Sequence, residues 1–121
     1  MTQENKAALS EEVAKWFRAN GKRMMSELSV QPGQKVLDFG CGAGHYCVPL
    51  AQTVGSTGEV IAVERHDETL SELEKRLRNS EVLEIVRPVP SDGLQVFEGF
   101  ESDEFDAVLV FCSSMVQYLD V

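Results

Sequence analysis

Residues 38–44 combine a carboxylate with three glycines at alternate positions, between an apolar strand and the start of a helix. Gly40 and Gly42 allow backbone dihedrals and a close ligand approach that a Cβ would prevent, while Gly44 allows the following helix to pack closely. The first N–H groups of that helix lack intrahelical partners and would face the ligand. Asp38 favours a ligand with positive charge over a pyrophosphate. The stretch therefore predicts a loop that binds a ligand with positive charge.

The elements that position this loop alternate between apolar strands and helices. Their spacing predicts a helix over 7–28 with a break at Asn20-Gly21, a strand over 35–39, a helix over 43–53, a strand over 59–64, a helix over 66–79, strands over 82–89 and 105–111, and a final helical turn or two from 113. Strands that are apolar at every position are typical of a parallel sheet with helices on both faces. The expected fold class is α/β, a Rossmann-like, mostly parallel sheet of about four strands preceded by an N-terminal helix. Such sheets bind ligands beyond the carboxyl ends of their strands.

The composition is that of a globular, acidic chain, with 43% hydrophobic residues and a net charge of −9. No apolar run reaches the length of a membrane span, and the N-terminus lacks the basic and apolar regions of a secretory signal, so we expect a cytoplasmic protein without membrane contact. The negative charge argues against nucleic acid as a partner. Cys41, Cys47 and Cys112 lack C-x-x-C spacing and a second ligand cluster, so we expect neither a metal site nor a disulfide framework.

The glycine spacing also bears on a dinucleotide ligand. The dinucleotide fingerprint is G-x-G-x-x-G, whereas this chain has G-x-G-x-G with His45 in the place of the third glycine. The spacing and the adjoining Asp38 both disfavour a nicotinamide cofactor. A nucleotide-dependent oxidoreductase is therefore the weaker alternative.

The stretch "VLDFGCGAG" resembles the first motif, D/E-x-G-x-G-x-G, of the class I S-adenosylmethionine-dependent methyltransferases, with Asp38 and the three glycines in register. The resemblance implies that the loop, including Cys41, wraps the methionine part of S-adenosyl-L-methionine, with Asp38 near its ammonium group. Glu64, 26 residues after Asp38, matches the acid that accepts hydrogen bonds from both ribose hydroxyls. Asp92 matches the acid that binds the adenine amino group, although Ser91-Asp92-Gly93 is equally good turn chemistry.

The resemblance implies methyl transfer to an acceptor that the charge predicts to be a small molecule. No catalytic residue is identified, because direct displacement requires a base only if the acceptor must lose a proton. His45 is a candidate base, with packing as the favoured alternative. By analogy with small-molecule methyltransferases, residues 1–30 would cap the cofactor and residues 31–121 would form an incomplete cofactor-binding domain.

The resemblance covers residues 30–118 and implies the strand order 3-2-1-4, in which a fifth strand would cover the fourth. The segment "AVLVF" would then be an apolar edge, which a second copy or a partner subunit would cover. A non-catalytic S-adenosylmethionine-binding module that acts through a partner is the alternative from another functional class.

Overall fold

The computed structural model describes residues 3–41, 44–91, 98–101 and 103–110. Their elements, in chain order, are α1 (Gln3–Glu27), β1 (Lys35–Phe39), α2 (Cys47–Val54), β2 (Glu59–Glu64), α3 (Asp67–Asn79), β3 (Val86–Pro90) and β4 (Ala107–Val110). No helix of these residues is long and apolar enough to cross a membrane.

The strands form one parallel sheet in the order β3-β2-β1-β4. Asp38 of β1 lies opposite Ala62 of β2 and Leu109 of β4. The chain moves outward from β1 through β2 to β3 and then returns to the other side of β1, so the strand order reverses between β1 and β4. The predicted α/β class and strand order are confirmed, and the reversal lies where such sheets bind ligands.

The three described helices lie on one side of the sheet, with α2 and α3 directly against its strands. The core of this face joins strand residues to residues of α2 and α3, among them Val36, Val60, Ala62, Leu50, Leu73 and Leu77. The β1–α2–β2 and β2–α3–β3 connections both move in the same direction across the sheet, so right-handed crossovers place α2 and α3 on the same side. Helix α1 packs outside α2 and contributes the buried Met25 to this core.

The second face has its own apolar cluster, built on Leu37, Ile61 and Val63 with Phe100 and Phe105 packed against them. The return from β3 to β4 runs in the opposite direction across the sheet. Phe100 and Phe105, which are described residues between these strands, pack on the second face, in agreement with a right-handed crossover. The sequence predicts helices on both faces. In the described part of the chain the three α-helices lie on the first face, and residues 92–97 of the β3–β4 connection lie outside the described residues.

The predicted break at Asn20-Gly21 is wrong, because α1 continues through both residues to Glu27. Gly21 is buried, and a Cβ at this position would lie 2.7 Å from Cβ of Pro49 in α2. The glycine therefore allows close approach of two helices rather than a turn, and packing outweighs its low helix propensity. The Asn20 side chain donates to the carbonyl of Trp16 within the same helix, at 3.0 Å.

Helix α1 begins at Gln3 rather than 7, and boundaries of α2, β3 and β4 also differ from the prediction by more than one residue. Helix α2 begins at Cys47 rather than 43, because residues 44–46 form a turn in which the N–H of Gly44 donates to the carbonyl of Cys41. Strand β3 begins at Val86 rather than 82, because turn hydrogen bonds hold the preceding residues against the end of α3. Strand β4 spans residues 107–110, and the predicted helical turn from 113 lies outside the described residues.

Candidate cofactor-binding site

Asp38 is fully buried at the carboxyl end of β1, on the sheet face that α2 covers. Its Oδ2 accepts a hydrogen bond from the Cys47 thiol at 3.0 Å, whereas its Oδ1 is buried without a hydrogen-bond partner in the described chain. Burial raises the pKa of Asp38 from 3.8 to about 6, against the hydrogen bond from Cys47, which lowers it, and together with the charge of Glu64, which raises it further. Burial thus deprives the ionised carboxylate of stabilisation by water, and a cationic ligand group could supply that stabilisation instead.

Glu64 is the second carboxylate at this edge of the sheet, and it is 9% exposed. Because Ala62 pairs with Asp38 and strand side chains alternate, Glu64 lies on the same face as Asp38, at the end of the neighbouring strand. Its Oε1 accepts the N–H groups of Arg65 at 3.0 Å and His66 at 3.3 Å. These bonds orient the carboxylate at the end of β2.

The glycine loop is tied to β2 by its own backbone. The N–H groups of Gly40 and Cys41 both donate to the carbonyl of Val63, at 2.9 and 3.0 Å. Gly40 has a φ of 76°, a backbone conformation that suits glycine and turns the chain away from the strand. The loop therefore leaves β1 directly beside the strand that ends in Glu64.

Gly44 serves the packing role that its position in the sequence predicts. Its φ is 91°, and a Cβ here would collide with Cδ1 of Leu73 on α3. The residue thus allows the turn before α2 to lie against α3. Gly42, the remaining glycine of the motif, lies outside the described residues.

Helix α1 contacts the turn that follows the glycine loop through Phe17. The Phe17 ring stacks on His45, with centroids 5.8 Å apart and an interplanar angle of 18°, and meets the Tyr46 ring edge to face at 4.6 Å. Burial and the charge of Arg76 lower the pKa of His45, which favours a neutral imidazole. The favoured prediction of a packing role for His45 agrees with this contact.

The sequence assigned no role at this site to Cys47, for which it predicted only the absence of a metal site and of a disulfide framework. Cys47 lies on the buried side of the first turn of α2, nine residues after Asp38. A hydrogen bond with Cys41, burial and the charge of Asp38 raise the pKa of the Cys47 thiol, so it stays protonated and can donate to the carboxylate. The available signal in the sequence was a small side chain with a hydrogen-bond donor, nine residues after Asp38 and at the start of the next helix.

The structure brings together five of the predicted cofactor residues, Asp38, Gly40, Cys41, Gly44 and Glu64, while Asp92 and Gly42 lie outside the described residues. The unpartnered, buried Oδ1 of Asp38 fits a cationic group such as the ammonium of an amino acid. No group of three or more metal-ligating side chains is arranged for a metal ion in the described ranges.

The sequence profile of the protein-L-isoaspartate(D-aspartate) O-methyltransferase family matches residues 19–116, which include all four strands. The chain belongs to this family. Methyltransferases of this kind use S-adenosylmethionine, so the membership agrees with the resemblance of the glycine loop and weighs against the oxidoreductase alternative.

Individual relatives and solved structures that resemble the chain are named as methyltransferases with different acceptors. Demethylmenaquinone methyltransferase from Staphylococcus aureus (strain MRSA252) is 36% identical over 89 residues, which are 74% of this chain and 35% of the relative. A solved S-adenosylmethionine-dependent O-methyltransferase from Thermotoga maritima has a TM-score of 0.68 and 29% identity, covering 84% of this chain and 37% of that one. A solved protein-L-isoaspartate O-methyltransferase has a TM-score of 0.60 and 25% identity, and the match covers 71% of this chain and 26% of that one. The chain thus spans about a third of the length of the curated relative.

Proposed function

We propose that this chain forms the cofactor-binding region of an S-adenosylmethionine-dependent methyltransferase that acts on a small molecule. The observation that carries the proposal is the buried Asp38 carboxylate, with an unpartnered Oδ1, beside Glu64 at the edge where the strand order reverses. Family membership and the methyltransferase relatives support it.

Each cofactor residue has a proposed role. Asp38 would neutralise the ammonium group of the methionine part, and the backbone of Gly40, Cys41 and Gly42 would wrap that part. Glu64 would accept hydrogen bonds from the ribose hydroxyls, since its carboxylate is oriented by the backbone N–H groups of Arg65 and His66. Asp92 would accept the adenine amino group.

Direct methyl transfer requires no covalent bond between the protein and the substrate or cofactor. When bound, S-adenosylmethionine would supply an activated sulfonium methyl group, and the acceptor would displace it in line. The chain's residues hold the donor in place and exclude water from it, which is the main source of rate in a direct displacement. The described residues identify no general base, and His45 is engaged in packing on Phe17.

A small-molecule acceptor is supported by the demethylmenaquinone methyltransferase relatives and by the net charge of −9, which disfavours a nucleic acid. The family name instead indicates an isoaspartyl group. The matched residues 19–116 contain the proposed cofactor-binding elements, and relatives named for different acceptors resemble this chain. The two acceptors must therefore be separated by experiment.

Two further parts of the chain have proposed roles. Helix α1, within residues 1–30, would act as a cap on the cofactor-binding domain of residues 31–121, because Phe17 packs on the turn after the glycine loop. A second copy or a partner subunit would cover the edge of β4, where Val108 and Val110 are about half exposed.

A thermal shift with S-adenosylhomocysteine tests cofactor binding. At about 100 times its dissociation constant the ligand should stabilise the chain by about 2.7 kcal/mol, which in a domain of this size is roughly 10 °C. NADH at a matched concentration should give no shift. A shift with NADH alone would replace the proposal with the oxidoreductase.

Glu64→Gln provides the site-specific test, with Glu59→Gln as the matched control at the other end of β2. Loss of a charged hydrogen-bond acceptor should weaken S-adenosylhomocysteine binding by tenfold or more, on the order of the 1.5–3 kcal/mol of such bonds. Glu59 lies at the amino end of the strand in an exposed ion-pair cluster with Lys35 and Arg87, and its variant should bind normally. Equal affinity of both variants would reject the assigned ribose site.

Turnover with labelled S-adenosylmethionine separates the acceptors. Transfer to a demethylated quinone, but not to an isoaspartyl peptide, would support the small-molecule proposal, and the reverse would overturn it. Cofactor binding without transfer to any acceptor would favour the non-catalytic module.

A further inference from the structure

A cleft of about 390 Å³ opens on the outer side of the helical layer, away from the carboxylates of the cofactor edge. Its described lining consists of Phe17 and Arg18 from α1, Gly44, His45, Val48, Pro49 and Gln52 from α2 and the turn before it, and Arg76 and Ser80 from the end of α3. Residues 45, 48, 49 and 52 share one side of α2, whereas residues 47, 50, 51 and 54 face the core. Of the predicted cofactor residues, Gly44 alone is among this lining.

The cleft is positively charged in an acidic chain. Arg18 and Arg76 come from opposite walls, α1 and α3, and none of the described lining residues is acidic, although the chain carries a net charge of −9. The charge of Arg76 reaches the imidazole of His45 and contributes to its lowered pKa. Two guanidinium groups in one cleft are suited to a carboxylate or a phosphate, which they can bind through paired hydrogen bonds.

Aromatic and apolar side chains line part of the cleft near α1. The nearly parallel Phe17 and His45 rings, 5.8 Å apart, adjoin Val48 and Pro49. At the other end, Gln52 and Ser80 offer neutral hydrogen-bonding groups. A volume of this size suits a small organic molecule, and pockets for such ligands combine apolar walls with a few polar groups that fix orientation.

We propose that this cleft is a second binding site, for a small aromatic anion whose carboxylate or phosphate lies between Arg18 and Arg76 and whose ring lies against Phe17 and His45. The described lining contains neither Asp38 nor Glu64, and the site does not depend on the proposed methyl transfer. It also bridges α1 to α3, so an occupied cleft holds α1 onto the body of the domain.

The single tryptophan of the chain reports on this cleft, because Trp16 meets the Phe17 ring edge to face at 5.1 Å. Titration of the full chain with benzoate or phenyl phosphate should change Trp16 fluorescence saturably. Benzyl alcohol, which has the ring without the anion, and inorganic phosphate, which has the anion without the ring, should each bind at least tenfold more weakly. Equal binding of either fragment would overturn the proposal. Preference for one of the two aromatic anions would support it and identify the anionic group.

Arginine variants locate the site, with calorimetry as a readout that does not depend on Trp16. Arg18→Gln and Arg76→Gln should each weaken binding about tenfold, as loss of one charged hydrogen-bonding partner does. Arg23→Gln on α1 and Arg78→Gln on α3 are matched controls at exposed positions outside the cleft lining and should bind normally. Equal affinities across the four variants would reject the site.

Competition distinguishes this site from the cofactor edge. Saturating S-adenosylhomocysteine should leave the aromatic anion bound, whereas displacement would place the probe at the cofactor edge and overturn the proposal. Failure of S-adenosylhomocysteine to bind at all would reject the proposed function, while the probe titration and the arginine variants would still decide the cleft.

Discussion

At the scale of single residues, the buried carboxylate of Asp38 lowers the stability of the ligand-free protein. Asp38 is buried next to a second carboxylate, with one bond from a thiol and one oxygen without a partner. Between pH 3.8 and about 6 the folded chain holds a proton that the unfolded chain releases, so stability falls as pH rises through this window. The full difference corresponds to about 3 kcal/mol. A bound cation would recover this cost.

Asp38→Asn should therefore stabilise the ligand-free protein while it weakens cofactor binding. We expect the variant to exceed the wild type by up to about 3 kcal/mol above pH 6, with the difference shrinking towards zero near pH 4. Urea unfolding at a series of pH values measures it. Asp103→Asn, at an exposed position, should show no such trend. A less stable Asp38→Asn protein at pH 7.5 would contradict the cost assigned to the ionised carboxylate.

The hydrogen bond from Cys47 lowers the pKa of Asp38, against the larger effect of burial. Variants of Cys47 can separate this effect from its packing in the core. S-adenosylhomocysteine carries an ammonium group that prefers ionised Asp38, so its affinity should fall as pH drops through about 6. Cys47→Ala removes the donor that lowers the pKa of Asp38 and leaves the charge of Glu64 opposed to ionisation, so the midpoint should move to higher pH. Cys47→Ser retains a donor and should keep the midpoint closer to that of the wild type. Identical pH profiles for both variants would indicate a packing role alone.

At the scale of elements, the packing of the helical layer depends on two glycines at positions where any side chain would collide with a neighbouring helix. Gly21 allows α1 to approach Pro49 of α2, and Gly44 allows the turn before α2 to lie against Leu73 of α3. Close packing of this kind is sensitive to single methyl groups. The glycines therefore set the spacing of the three helices that cover the sheet.

Gly21→Ala should destabilise the protein although alanine is the better helix former. The added Cβ would lie 2.7 Å from Cβ of Pro49, and overpacking typically costs about 1–3 kcal/mol, from which a gain of up to about 1 kcal/mol in helix propensity is subtracted. Chemical denaturation measures the net effect. Gly99→Ala adds the same atom where nothing lies within 4 Å and should be nearly neutral. Equal stability of the two variants would mean that α1 does not pack as described.

The contact of α1 with the turn after the glycine loop also belongs to this scale. Phe17→Ala should weaken S-adenosylhomocysteine binding severalfold if α1 caps the cofactor, because the ring supports His45 and Tyr46. Leu28→Ala, at an exposed position just after the same helix, is the control. Titration calorimetry gives both affinities, and an unchanged value for Phe17→Ala would reject the cap.

At the scale of the whole molecule, the two sides of the sheet differ in their cover. Ala107 and Leu109 of β4 pack against the helical core, whereas Val108 and Val110 on the opposite face are 49% and 46% exposed. Within the described residues β4 pairs with β1 alone. Apolar surface next to an unpaired strand edge favours association with another sheet.

We expect the chain to self-associate as its concentration rises, and Val108→Lys to reduce this association by placing a charge beside the edge. Sedimentation velocity over a range of concentrations measures both proteins. Leu83→Lys introduces the same charge at another exposed apolar position, 40% exposed, and should associate like the wild type. A wild-type chain that stays monomeric at every concentration would reject coverage by a second copy.

The sequence by itself determined the α/β class, the order of the elements and the position of the glycine loop, and its resemblance to methyltransferases implied the strand order. These features follow from local patterns, namely apolar runs, turn residues and a motif contained in nine consecutive residues. The roles assigned to the cofactor residues stay predictions, with Gly42 and Asp92 outside the described residues.

Only the tertiary structure decided how distant residues meet. The sequence around Asn20-Gly21 has the composition of a break, but Pro49 of α2 makes the glycine a packing residue within a continuous helix. The bond from Cys47 to Asp38 and the cleft between α1 and α3 likewise depend on where separate elements come together. Local propensities are weak compared with packing, so they cannot specify such contacts.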